Sequence, residues 1–136
     1  MKRISWEEYA FKLAETASLR SEDPYTKVGA CALDYHNRVL GVAYNGLAPG
    51  RNVSKNFWFN REKRLPYMLH AEQNLLSLFK RNEARLIATT TLPCSHCAQL
   101  ICCWNIPLVL YKTEYKRDNL ALDIFKFYGV TIKKIS

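Results

Sequence analysis

His70-Ala71-Glu72 and, after twenty intervening residues (73–92), Pro93-Cys94-Ser95-His96-Cys97 gather one imidazole, two thiols and one carboxylate into two short motifs. His70, Cys94 and Cys97 make a zinc ligand set of nitrogen and sulfur, one short of the four that close a structural site. The open position admits water, whose pKa falls toward ~7 on the metal. Glu72 then stands beside the metal as a carboxylate suited to carrying protons. The Cys-x-x-Cys pair has two other readings, a redox dithiol or half of a closed zinc knuckle, and the His-Ala-Glu upstream argues against both. His96 is a rival ligand, but between two ligating cysteines at a helix start it faces away.

The elements that must hold these residues alternate between helix and strand, without linker or repeat. Ser5 and Glu8 form a capping box, and Trp6, Tyr9, Ala10, Leu13, Ala14 and Ala17 recur at helical spacing, predicting a helix over about 6–19. Residues 28–34 and 39–45 are β-favouring runs separated by Tyr35-His36-Asn37-Arg38, the pattern of an antiparallel hairpin. There follow a helix over about 70–81, a strand near 86–91, a helix opening at Cys94 and a strand over 108–113. Asp118 caps a last helix that ends before Gly129, and residues 130–135 form a final strand. Two strands joined by a helical crossover run parallel, so the sheet ends in a parallel pair. The cysteines at a helix opening meet unpaired N–H groups and the positive dipole end, which favour thiolates. Residues 70 and 72 of a regular helix point apart, so Glu72 must reach back over the metal from the first turn.

At 136 residues and 49% hydrophobic content, one domain spanning 1–136 buries about two-thirds of the surface its unfolded form exposes and needs no disulfides. Two of the five cysteines are assigned to zinc, and Cys31, Cys102 and Cys103 leave an odd remainder, as expected of reduced thiols in a cytoplasmic protein. The N-terminal MKRISWEEYA has no apolar core of signal-peptide length. No run approaches the ~18 apolar residues of a membrane span.

The chain resembles the zinc-dependent cytidine and deoxycytidylate deaminase superfamily, whose histidine, cysteine and glutamate pattern is itself a described signature of nucleobase deaminases. Arg20-Ser21-Glu22-Asp23-Pro24 with Val28-Gly29-Ala30, and Ala43-Tyr44-Asn45-Gly46-Leu47-Ala48-Pro49-Gly50, are similar to the deoxycytidylate branch over roughly residues 6–116. The short spacing between the two zinc motifs, and the lack of further cysteines or histidines for a second metal just before His70, resemble a small viral-type member. The resemblance implies a three-layer α/β/α sandwich around a mixed five-stranded sheet with its last two strands parallel. It implies one Zn2+ per chain and hydrolysis of dCMP to dUMP and ammonia. Glu72 would move protons from the water to N3 of cytosine and on to the departing amine. Family geometry gives the Ala71 N–H and the carbonyl near Thr91 the base edge, and Asn45 the sugar 3′-hydroxyl, with a plain turn asparagine as the alternative. Arg20, Tyr115 and Lys116 occupy positions that serve the substrate phosphate, although Arg20 also suits a helix C-terminus and Lys116 a solvated turn. Tyr44 and Gly46 fall in the loop that contacts dCTP or dTTP effectors in regulated relatives. A homo-oligomer is the expected assembly, and use of dCTP as well as dCMP is the nearest alternative activity.

The net charge of +8 supports a rival. Arg51, Lys55, Arg61, Lys63 and Arg64 alternate with Phe57, Trp58, Phe59 and Tyr67, the composition of a single-strand groove in a polynucleotide deaminase acting on DNA or tRNA. The other account of this stretch is a solvated basic loop whose aromatics pack on the body or a neighbouring subunit. The Tyr-Asn-Gly segment favours a free nucleotide over nucleic acid. A catalytically silent zinc-binding interaction protein is a third class, and Glu72 argues against it.

Overall fold

Alternate residues of one buried strand feed two separate cores. The computed structural model describes residues 2–114 and 120–136, so Tyr115, Lys116 and the Asp118 cap lie outside the described residues. Strand β1 (Gly29–Asp34) sends Ala30 and Ala32 to one face and Cys31 and Leu33 to the other, all fully buried. Burial on both faces accounts for its unbroken apolar run and makes three layers. One core lies under helix α1 (Trp6–Ser18), through Ala10, Phe11 and Ala14. The other lies under α4 (Ala71–Leu76), α5 (Ser95–Cys103) and α6 (Leu120–Phe127), through Leu75, Ile101 and Phe125.

The sheet has five strands in the order β2-β1-β3-β4-β5, with β2 at Val39–Tyr44, β3 at Ala84–Thr89, β4 at Leu108–Tyr111 and β5 at Thr131–Lys134. β1 is antiparallel to β2 and β3, whereas β3, β4 and β5 run parallel, as the helical crossovers require. At the hairpin tip Asn37 takes φ 62°, and Asp34 Oδ1 accepts the N–H groups of His36 and Arg38 at 2.8 and 2.9 Å. Gly29 is required by packing: a Cβ there would lie 1.8 Å from the Ala14 carbonyl oxygen of α1. The Ser5 hydroxyl accepts the Glu8 N–H at 3.0 Å, which fixes the start of α1.

Two elements differ from the sequence expectation. The helix predicted over 70–81 is confined to Ala71–Leu76, because the chain tightens at Leu78 N–H to Leu75 carbonyl and turns Phe79 into the core. The Trp104 indole donates to the Phe79 carbonyl at 3.1 Å and secures that turn. The basic stretch read as a loop contains α2 (Lys55–Phe59), α3 (Arg61–Arg64) and a 3-10 turn at Leu65–Tyr67. Trp58 and Arg64 are buried within it, while most of the residues around them are exposed.

Candidate metal centre and its cavity

Both ligand motifs fall at helix N-termini. His70 precedes α4 with extended backbone (φ −75°, ψ 153°), and Cys94 precedes α5 in the same way (φ −69°, ψ 171°). The placement of His70 outside its helix corrects the expectation that it starts the helix, and it frees the imidazole to turn toward α5. Its N–H donates to Gln73 Oε1 at 2.7 Å, a clamp that the sequence reading missed. Cys94 and Cys97 sit at the cap and third position of α5, which brings their side chains to one side of the first turn.

His70 Nδ1 lies 3.5 Å from Cys94 Sγ and 3.3 Å from Cys97 Sγ. All three donor atoms fall within 4.8 Å of one another, and among the described residues no other such group of His, Cys, Asp or Glu occurs. With Zn–S about 2.3 Å and Zn–N about 2.0–2.1 Å, a tetrahedral centre separates nitrogen from sulfur by about 3.6 Å, so the trio fits zinc. Hydrogen bonding to Cys97, with help from His70, holds the Cys94 thiol down to about 4, in keeping with a thiolate ligand. The hydrogen bond to Cys94, with burial, pushes the Cys97 thiol the other way, so this pair holds its thiolate on Cys94 first. His96 is exposed and outside the trio.

Glu72 lies on the first turn of α4, 4% exposed, next to the Cys97 thiol but not part of the trio. Burial raises its pKa above the ordinary carboxylate value, partly offset by the Cys97 hydrogen bond and the His70 charge. A carboxylate held above its ordinary pKa beside a metal site is suited to taking and returning a proton.

His70, Glu72 and Cys94 open into a cavity of about 340 Å³, within the range of small-molecule sites. Ala71, Thr91 and Asn45 also line it. Thr91 is steadied by its hydroxyl, 3.1 Å from that of Thr113. The Asn45 amide is largely committed to its own loop, since Oδ1 accepts the Val28 N–H and Nδ2 donates to the Thr26 carbonyl, each at 2.9 Å. One Nδ2 hydrogen remains. Gly46 pairs with Leu69 through two backbone hydrogen bonds, which ties this loop to the residue before the metal ligand. The Tyr44 carbonyl accepts from Asn74 Nδ2 at 2.9 Å, and neither Tyr44 nor Gly46 lines the cavity. Arg20 is exposed after α1 and also lies outside the lining.

The lining also includes residues to which the sequence reading gave no site role or only a surface one: Asp23, Thr26, Arg61, Arg64 and Leu65. Arg64 Nη1 donates to Asp23 Oδ2 at 2.7 Å, and its guanidinium lies over the rings of Tyr25 and Trp58. Trp58 also meets Phe57 edge-on at 5.4 Å between centroids. Trp58, one of the four aromatics of the single-strand-groove reading, is therefore used inside the protein, whereas Phe59 and Tyr67 stay exposed.

Residues 4–113 match the family model of the cytidine and deoxycytidylate deaminase zinc-binding region. The chain belongs to this family of zinc-dependent deaminases. It is 30% identical over 149 residues to the deoxycytidylate deaminase of Mus musculus, covering 98% of this chain and 81% of the mouse protein. Identity to the deoxycytidylate deaminase of Homo sapiens is 29% over 147 residues, covering 96% and 80%. The dCMP deaminase of cyanophage S-TIM5 in complex with dCMP and dUMP superposes with a TM-score of 0.81 at 25% identity, covering 99% of this chain and all of that one.

Proposed function

We propose that this chain, as one domain, hydrolyses dCMP to dUMP and ammonia with one Zn2+ held by His70, Cys94 and Cys97. The observation that carries the reading is the open trio, two of whose members, His70 and Cys94, line a cavity of about 340 Å³ together with the buried Glu72. The likeness to the phage enzyme bound to dCMP and dUMP supports this substrate over other cytosine compounds.

Bound in the trio, Zn2+ supplies a Lewis acid that brings the pKa of water toward 7. The Glu72 carboxylate takes a proton from the attacking water and delivers it to N3 of the base. It then takes the second proton of the oxygen added at C4 and passes it to the amine, so that the C4–N bond breaks, ammonia leaves and the carbonyl of uracil forms. Its raised pKa suits both directions of transfer. The Ala71 N–H and the Thr91 carbonyl hold the base edge, and the remaining Asn45 Nδ2 hydrogen is available to the sugar. Leu69, Leu92 and Pro93 line the same cavity and exclude bulk water from the base.

The same reading expects an intracellular homo-oligomer, with dCTP and dTTP as the candidate effectors. Exposed Phe59, Leu65 and Tyr67 near the cavity wall offer apolar surface for assembly. Among the described residues no helix is long and apolar enough to cross a membrane.

Ammonia release measured across deoxycytidine, dCMP, dCTP, single-stranded DNA and tRNA tests the assignment. Turnover of dCMP well above the others is expected. Deamination within an oligonucleotide at a comparable rate would overturn it.

A further inference from the structure

Arg61 and Arg64 sit three residues apart on α3 and line the same cavity, yet their surroundings are opposite. Arg64 is 2% exposed and its charge is met by Asp23. Arg61 is exposed, and the ion pairs among the described residues are Arg64–Asp23 and Lys133–Glu7, so no described carboxylate holds it. The acids of the lining are Asp23, committed to Arg64, and Glu72, which is buried beside the metal trio. Arg61 is thus an arginine of this lining whose charge is still available to a ligand.

We propose that Arg61 reads the 5′-phosphate of the substrate and that the buried Arg64–Asp23 pair fixes the helix that carries it. This rests on the dCMP reading above. A guanidinium presents a planar fork that grips two phosphate oxygens at once. A four-residue helix cannot hold itself in water, so such a fork needs anchors on either side. Asn60 Oδ1 accepts the Lys63 N–H at 3.2 Å at one end, and Arg64 locks the other onto Asp23. Asp23 Oδ1 in turn accepts the N–H groups of Tyr25 and Thr26, the latter's carbonyl holding Asn45. Phosphate and sugar contacts are therefore built on one connected frame, and a prepositioned fork loses less freedom on binding.

A competing phosphate site is the open cleft beyond Thr91, which carries Lys12, Lys27 and Lys112. Lys27 is already bonded to the Ser21 carbonyl, and Glu15 in the same lining offsets part of the remaining charge. Lysines offer point charges without a fork.

The test compares kcat/KM for dCMP and deoxycytidine in the zinc-loaded wild type, Arg61→Ala, Arg61→Lys and Lys112→Ala. Arg61 is exposed, so its replacement leaves folding intact. The preference for dCMP should fall about tenfold or more in Arg61→Ala, chiefly through KM, with partial recovery in Arg61→Lys. Product inhibition by dUMP should weaken in parallel. A wild type that prefers dCMP and an Arg61→Ala that keeps this preference would overturn the proposal alone, as would a loss confined to Lys112→Ala. A wild type that uses both substrates equally fails the dCMP reading itself, and the proposal with it.

Discussion

Asp23 and Arg64, forty-one positions apart in the chain, meet at 2.7 Å with side chains 5% and 2% exposed. One carboxylate thereby ties the turn after α1 to a helical segment that lines the cavity. Removing one partner strands a buried charge, which typically costs about 3–5 kcal/mol, whereas removing both costs less than the sum. Asp23→Ala and Arg64→Met should each lower stability by about that amount in denaturant unfolding, and the double variant should recover part of the loss. Additive losses would show that the two side chains do not act as a pair.

The sequence announces neither partner. α1, the hairpin and the opening of α5 were legible because caps and apolar periodicity repeat over enough residues to register. The parallel end of the sheet was legible because a helix must cross between its strands. The metal trio was legible because its ligand types and spacing are chemically restrictive. Residues 55–67 were not, since helices of five and four residues show too little periodicity, and basic residues interleaved with aromatics look solvated. Arg64 is buried only because Asp23 is there, and local pattern carries no trace of such a partner. The early end of α4 escaped notice because it depends on Phe79 finding the core and on the Trp104 indole.

Trp58 is 9% exposed and packs against Phe57 and the Arg64 guanidinium. Trp58→Ala should therefore cost about 3–5 kcal/mol of stability, the range for truncating a buried aromatic. Binding of single-stranded DNA should stay weak in both proteins, with a shallow salt dependence, measured by titration at several ionic strengths. Unchanged stability with lost DNA binding would return the segment to a nucleic-acid role.

Thiol chemistry gives an independent view of the metal centre. Cys31 is fully buried in β1 and burial pushes its thiol up to about 12, so it stays protonated and protected near neutrality. Cys103 is exposed and should label first with a maleimide in the native zinc-loaded protein. Chelation should add rapid labelling at Cys94, whose thiol the metal-free pair holds at about 4. Peptide mapping that shows Cys94 equally reactive before and after chelation would contradict its place in the metal shell.

The central claim is that Glu72 carries protons beside a zinc that three other residues hold. Zinc content and ammonia release from dCMP, measured together on Glu72→Gln, test it most directly. The amide keeps the shape of the side chain and removes its capacity to carry a proton, so close to one zinc per chain should remain while turnover falls by ~10²-fold or more. Loss of the metal would make Glu72 a ligand, and retained turnover would take the proton transfer away from it.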